Sequence, residues 1–172
     1  MSRAAFAAVA IPLFLAVAPS TAQKLPVTCQ SVREKDAETG AVIQKTRLAS
    51  KPFSFDPLLV WTSDDPDSVM LAIVGNSGTG KYAACHDLTM KADGQPIALG
   101  PAQRDTDPGE TRTVVEYIRA EIPWAEARKL ATAKEITFTL CKDPYQADSQ
   151  FVCEAKDVIG MAAAWREEKR RK

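Results

Sequence analysis

The spacing of apolar and polar residues predicts a chain built mostly from short β-strands. Residues 135–141 alternate strictly, with Ile136, Phe138 and Leu140 on one face, as expected of a strand with one face on a core. Residues 27–35 and 41–48 are predicted to form two strands joined by a polar turn that ends in Gly40. Further predicted strands cover residues 58–62, 69–74, 82–91, 96–99 and 113–122.

Turn and helix signals complete this pattern. Asp93 and Gly94 stand between two extended segments, which is a strong hairpin signal. Residues 100–109 are rich in proline, aspartate and glycine and are predicted to form a loop. Pro123 ends the preceding strand and favours a short amphipathic helix over residues 124–133. A terminal helix is predicted to begin between Ser149 and Asp157.

These elements predict an α+β fold that is mainly antiparallel β and sandwich-like, with one short connecting helix and a C-terminal helix. Six to eight strands are expected, and parallel βαβ architecture is disfavoured because helices do not alternate with strands. No repeat or long linker divides residues 23–172, so we predict a single domain there.

The first 22 residues have the features of a secretion signal peptide. Arg3 supplies a positive start, and residues 4–18 form an apolar stretch that is too short for a membrane span. Small residues follow, which predicts cleavage between Ala22 and Gln23. The alanine-rich composition suggests a bacterial source, so we expect a periplasmic or secreted protein without a membrane span.

The four cysteines lie in the predicted mature part, where export favours disulfide bonds. Four cysteines allow three pairings, and the spacing does not settle the choice. A hairpin joining residues 135–142 with residues 150–155 would place Cys141 beside Cys153. We therefore favour Cys141–Cys153 together with Cys29–Cys85.

Net charge argues against a nucleic-acid partner. The chain has 22 basic and 22 acidic residues, and loss of Arg3 with the signal peptide leaves 21 basic residues, a net charge of −1. Such a domain exerts no overall attraction on nucleic acid or anionic lipid.

Two motifs resemble ligand sites, and both depart from the patterns they resemble. Residues 75–81 follow the GxxxxGK pattern of a phosphate-binding loop, but Tyr82 stands where Ser or Thr should hold Mg²⁺. We assign no cofactor. Residues between Asp105 and Glu116 resemble a calcium loop, with Gly109 fifth rather than sixth. A solvated turn is the favoured interpretation, and a weak calcium site is the alternative.

Residues 88–99 and 122–140 give a hairpin, a proline-led helix and a strand in that order. This order resembles small exported proteobacterial domains of undefined biochemistry, among them the invasion-associated locus B proteins. The resemblance covers about a third of the chain. It implies an exported β-rich domain and transfers no functional residue.

We favour a non-enzymatic binding module of the cell envelope, such as an inhibitor, an immunity-type protein or an assembly factor, with another envelope or extracellular protein as partner. The expected contact loops are residues 75–81 and 100–111, with Asn76, Ser77, Thr79, Lys81, Arg104, Asp105 and Asp107 as candidates. The alternative is a small periplasmic hydrolase, for which the semi-clustered carboxylates are Asp87, Asp105, Asp107 and Glu116.

Overall fold

A computed structural model of the chain describes residues 29–48, 55–77, 80–108 and 114–172, with the side chains of Asn76, Ser77 and Pro108 left undescribed. The predicted signal peptide and its cleavage site lie outside these residues. The strands are β1 (Val32–Lys35), β2 (Val42–Lys45), β3 (Phe55–Thr62), β4 (Ser68–Ser77), β5 (Leu88–Ala92), β6 (Gln95–Ile97), β7 (Gln103–Pro108), β8 (Val114–Pro123), β9 (Ile136–Leu140) and β10 (Asp143–Gln146). The helices are α1 (Trp124–Ala127), which continues into a 3-10 turn at Arg128–Ala131, and α2 (Ser149–Arg170).

The strands form two antiparallel sheets in a sandwich-like arrangement. The large sheet has the order β1-β2-β3-β4-β8-β7, and the small sheet has the order β10-β9-β5-β6. Every strand pair is antiparallel. The predicted fold class is confirmed.

One core lies between the large sheet and a second layer made of the small sheet and α2. Trp61 of β3 packs edge-on against Trp165 of α2, with ring centroids 5.3 Å apart. Phe138 of β9 meets Phe151 of α2 at 5.7 Å. The second helix begins at Ser149 because the Asp148 side chain accepts a hydrogen bond from the backbone N–H of Phe151 at 2.8 Å. No helix among the described residues is long and apolar enough to cross a membrane.

Several local predictions are confirmed and three are wrong. The hairpin at Asp93 and Gly94 joins β5 and β6, and residues 114–122 of the predicted strand lie in β8, between β4 and β7. The segment predicted as a loop contains β7, whose charged side chains and terminal proline suit an edge strand, because both discourage pairing with a further strand. Residues 82–87 form turns and coil before β5, and residues 150–155 belong to α2 rather than to a strand.

The favoured disulfide pairing is also wrong, because the structure joins Cys29 to Cys153 and Cys85 to Cys141. The register of β5 against β9 explains the pairing of Cys85 with Cys141. Leu88 of β5 lies opposite Leu140 of β9, with Cys85 shortly before Leu88 and Cys141 directly after Leu140. Cys141 starts the turn between β9 and β10 with a positive φ of 59°. Cys153 lies on α2, where Cys29 attaches the start of the described chain to the helix.

Candidate functional site

The predicted contact residues are divided between the two faces of the large sheet. Arg104 points to the inner side, whereas Asp105 and Asp107 point outward, because neighbours on a strand alternate. Lys81 lies in the turn that crosses from β4 to the small sheet. Asn76 and Ser77 end β4 with undescribed side chains, and Thr79 lies outside the described residues.

On the inner side, Glu116 of β8 is fully buried and contacts Arg104 of one predicted contact segment and Tyr82, which directly follows the other. Both Nε and Nη2 of Arg104 lie 2.9 Å from Glu116 Oε1. The backbone N–H of Tyr82 donates to the same oxygen at 3.0 Å. The buried carboxylate therefore has the charged partner and hydrogen bonds that burial of an ion requires.

A second group of polar side chains continues this arrangement toward the small sheet. Lys81 Nζ lies 2.7 Å from Asp143 Oδ2, and the Tyr82 hydroxyl donates to the same oxygen at 2.9 Å. The hydroxyls of Tyr82 and Tyr145 also form a hydrogen bond. We call the six residues of these two groups the polar junction: Lys81, Tyr82, Arg104, Glu116, Asp143 and Tyr145.

Three members of the polar junction have pKa values shifted away from neutral pH. The Lys81 ammonium and the Tyr82 hydroxyl lower the pKa of Asp143. The hydrogen bond with Asp143 raises the pKa of Lys81, and burial raises the pKa of Tyr82. General acid–base catalysis works best with pKa values near the working pH, and here all three move away from it. The contacts support a structural role, which is to connect the two sheets at one end of the sandwich.

Gly75 explains why this junction can assemble. It lies opposite Phe55 on one side and Glu116 on the other. The Phe55 ring occupies the space that a side chain at position 75 would need, and it packs edge-on against Tyr82 with centroids 4.8 Å apart. The absence of a side chain at Gly75 therefore lets the ring reach Tyr82.

The carboxylates of the hydrolase alternative do not meet in one pocket. Glu116 is buried on the inner face, Asp105 and Asp107 are exposed on the outer face, and Asp87 is exposed before β5. The two ends of the resembled calcium loop, Asp105 and Glu116, thus lie on opposite sides of the sheet. Among the described residues, no three His, Cys, Asp or Glu side chains form a group that could hold a metal ion. Lys81 is followed by turns and coil through residue 87, so the GxxxxGK segment lacks the helix that a phosphate-binding loop requires.

The outer face of the large sheet carries a feature that the sequence analysis did not identify. Leu59 and Trp61 point into the core, so Leu58 and Val60 point outward. Leu58 lies opposite Ala72 of β4, and Val60 lies opposite Met70. On the far side of β4, Val74 lies opposite Tyr117 of β8. These outward side chains form a contiguous group that we call the outer patch: Leu58, Val60, Met70, Ala72, Val74 and Tyr117.

Except for Ala72, the members of the outer patch keep part of their surface exposed. Five charged side chains of the same outer face lie directly opposite members of the patch: Lys45, Asp56, Asp105, Arg119 and Glu121. Glu34 and Asp107 lie farther out on this face, opposite Ile43 and Val115. Arg119 forms an ion pair with Asp105, and Lys45 forms one with Glu34. The sequence did carry a signal for this patch. Residues 69–74 are continuously apolar, which is typical of a strand that contacts apolar surroundings on both faces.

Comparison of the chain with protein-family models, with curated proteins and with solved structures finds no match. The resemblance to the invasion-associated locus B proteins stays a prediction.

Proposed function

We propose that this protein is an exported, non-enzymatic binding module of the bacterial cell envelope and that the outer patch is its contact surface. The observation that carries the proposal is the apolar outer face of β3 and β4. An antiparallel sheet with one face on a core normally shows polar side chains to water on the other face. A contiguous exposed apolar patch with a polar border is typical of a protein interaction site.

The predicted contact residues fit this surface in part. Asp105 of β7 belongs to the charged border of the outer patch and Asp107 lies farther out on the same face, whereas Lys81 and Arg104 are engaged in the polar junction. The β7 part of the predicted segment thus contributes to the border of the proposed interface. The two disulfides support an oxidising compartment, for which we propose the periplasm or the extracellular space.

The size of the patch sets the expected strength of binding. Three strands about 4.8 Å apart and three rows about 6.8 Å apart give nine positions, and the six that the outer patch fills amount to an apolar area on the order of 200 Å². Burying it contributes about 5 kcal/mol before the costs of association. Those costs are about 4–15 kcal/mol, so the charged border must contribute as well. We expect one specific protein partner that binds with moderate affinity. This protein would act on that partner as an inhibitor, an immunity-type protein or an assembly factor.

The test uses oxidised residues 23–172 as bait in an envelope extract of the source bacterium, with quantitative mass spectrometry. The double variant Met70→Gln/Val74→Thr removes apolar surface without adding charge. Thr89→Gln is the matched control, because Thr89 is exposed on the outer face of the small sheet. We expect a stoichiometric partner whose recovery falls at least tenfold with the double variant and is unchanged with the control.

Near-ultraviolet circular dichroism must show that both variants keep the wild-type fold. A partner retained by the double variant, or lost equally with Thr89→Gln, would contradict the proposed surface. Repeated captures without any stoichiometric partner would contradict the binding function itself.

A further inference from the structure

We infer that the hairpin formed by β1 and β2 is a releasable strap on α2, and that a protein dithiol opens it by reducing the Cys29–Cys153 disulfide. The hairpin forms one edge of the large sheet. Cys29 lies shortly before β1 and joins the hairpin to Cys153 of α2. Four features support its release: the hairpin lies outside the apolar core, polar side chains hold it to α2, a cleft lies beneath it, and one end of its disulfide is exposed.

The hairpin contributes little to the apolar core. The core cluster contains no residue between positions 29 and 48, all of which the structure describes, and Val42 packs against its border. The ladder to the rest of the sheet is short, since β2 pairs with β3 over Ile43–Lys45, whereas β4 pairs with β8 along its whole length. Opening the hairpin therefore exposes little apolar surface of its own, which is typical of segments that open locally at low free energy.

Polar side chains make the interface between the hairpin and α2. The backbone N–H and the hydroxyl of Ser31 donate to Asp157 Oδ2 at 2.9 and 2.6 Å. The side-chain amide of Gln44 donates to the Ser31 hydroxyl. Farther along, the backbone N–H and the guanidinium of Arg47 donate to Glu154 at 2.6 and 3.2 Å. Each of these groups can exchange its protein partner for water, so the net stability from such bonds is modest.

The packing beneath the hairpin is incomplete. A cleft of about 140 Å³ lies between the hairpin and the end of α2, with Val42 and Gln44 on one side and Trp165 on the other. Trp61 of β3 also lines it, and among the described residues the buried indole N–H of Trp61 has no hydrogen-bond partner. A buried donor without a partner destabilises the closed state. Gln44 lies opposite Trp61, so opening the hairpin removes one of the walls that keep water from this group.

The position of the disulfide allows a reductant to reach it. Cys29 is exposed, Cys153 is half-buried on α2, and both cysteines of the other disulfide, Cys85 and Cys141, are half-buried. A thiolate of the dithiol attacks Sγ of Cys29 and forms a mixed disulfide, and Cys153 leaves as a thiolate. The second thiol of the reductant then displaces Cys29. The reductant ends as a disulfide, and Cys29 and Cys153 end as protonated thiols.

Release of the hairpin uncovers the edge of β3. This strand carries Leu58 and Val60 of the outer patch, and β2 pairs with its residues 60–62 in the closed state. Reduction would therefore change a strand that carries part of the proposed contact surface. The release does not depend on the proposed function, because it is measured by hydrogen exchange and not by binding.

Hydrogen–deuterium exchange with mass spectrometry tests the release in residues 23–172 that carry Cys29→Ser/Cys153→Ser, which removes this disulfide alone. The matched control is Cys85→Ser/Cys141→Ser, which removes the other disulfide. We expect the amides of β1 and β2 to exchange about tenfold faster in the first variant, because the bond no longer restrains local opening, while the amides of β8 keep their rates. The control should leave exchange in β1 and β2 unchanged.

The wild-type protein gives a second test that needs no variant. Titration with dithiothreitol, followed by alkylation and mass spectrometry, should show Cys29 and Cys153 reduced first, with trypsin cleaving within residues 31–48 at that stage. Equal acceleration of exchange in the hairpin and in β8 would overturn the release, because the disulfide would then stabilise the whole fold. Unchanged exchange in β1 and β2, or earlier reduction of Cys85 and Cys141, would overturn it as well.

Discussion

Replacing Gly75 with alanine tests the packing that closes one end of the sandwich. A Cβ atom at position 75 would lie 2.7 Å from Cζ of Phe55 and closer still to two other carbons of that ring. The Phe55 ring cannot keep its present position beside an alanine. Because the ring also packs on Tyr82 at 4.8 Å, moving it disturbs the polar junction.

The magnitude follows from two destabilising contributions and one that offsets them. Forcing an extra methyl group into a packed site costs about 1–3 kcal/mol. Loss of the edge-on aromatic contact costs about 0.5–1.5 kcal/mol. Alanine lowers the conformational entropy of the unfolded chain relative to glycine, which offsets about 0.4–1 kcal/mol of this destabilisation. We expect Gly75→Ala to lower the free energy of unfolding by about 2 kcal/mol, which corresponds to a fall of about 4–8 °C in Tm.

Urea unfolding of oxidised protein, followed by tryptophan fluorescence, measures the free energy of unfolding directly. Gly160→Ala is the matched control, because nothing lies within 4 Å of a Cβ atom there and the residue is exposed in the middle of α2. Alanine should stabilise that position by about 0.5–1 kcal/mol. A Gly75→Ala protein as stable as the wild type would refute the reasoning.

Two further predictions concern charge. Arg104→Met should lower the free energy of unfolding by about 3 kcal/mol, because it removes the Arg104 cation from the fully buried Glu116 carboxylate. Adding Glu116→Gln should recover part of that loss in urea unfolding. Hydrogen bonds from the backbone N–H groups of Glu135 and Lys134 hold the pKa of Asp93 below 3.8 in the folded protein. The Asp93 carboxylate therefore stabilises the fold fully above pH 3.8. This stabilisation is lost as the pH falls through the lower, folded-state pKa. The stability difference between the wild type and Asp93→Asn should therefore shrink as the pH falls below 3.8 in urea unfolding at a series of pH values, and a difference that grows on acidification would contradict this.

Local signals in the sequence predicted most of the secondary structure. The Asp93–Gly94 turn, the alternation in residues 135–141 and the proline before α1 each act over a few residues, and each gave an element that the structure contains. The position of β7 was not predicted, because the aspartates and proline of residues 103–108 have loop composition. That composition also suits an exposed edge strand, where side chains meet water on two sides.

Features that depend on distant segments could not be derived in the same way. The pairing of Cys85 with Cys141 follows from the register of β5 on β9, which sequence spacing does not reveal. The ion pair between Arg104 and Glu116 could not be predicted, because it depends on which face of each strand points inward. The outer patch was partly accessible, since the continuous apolar run at residues 69–74 indicates two apolar faces. Only the burial of the side chains in the folded chain shows that the described residues leave one of these faces partly accessible.

The two disulfides are nested, since the loop closed by Cys29 and Cys153 contains both Cys85 and Cys141. A chain that emerges with its amino end first presents Cys85 to Cys29 well before Cys153 arrives. The earliest pairing open to Cys29 is therefore a non-native one. It can be corrected only when a thiolate attacks that bond and exchanges it. Efficient maturation of this protein should consequently require a disulfide isomerase in addition to an oxidant.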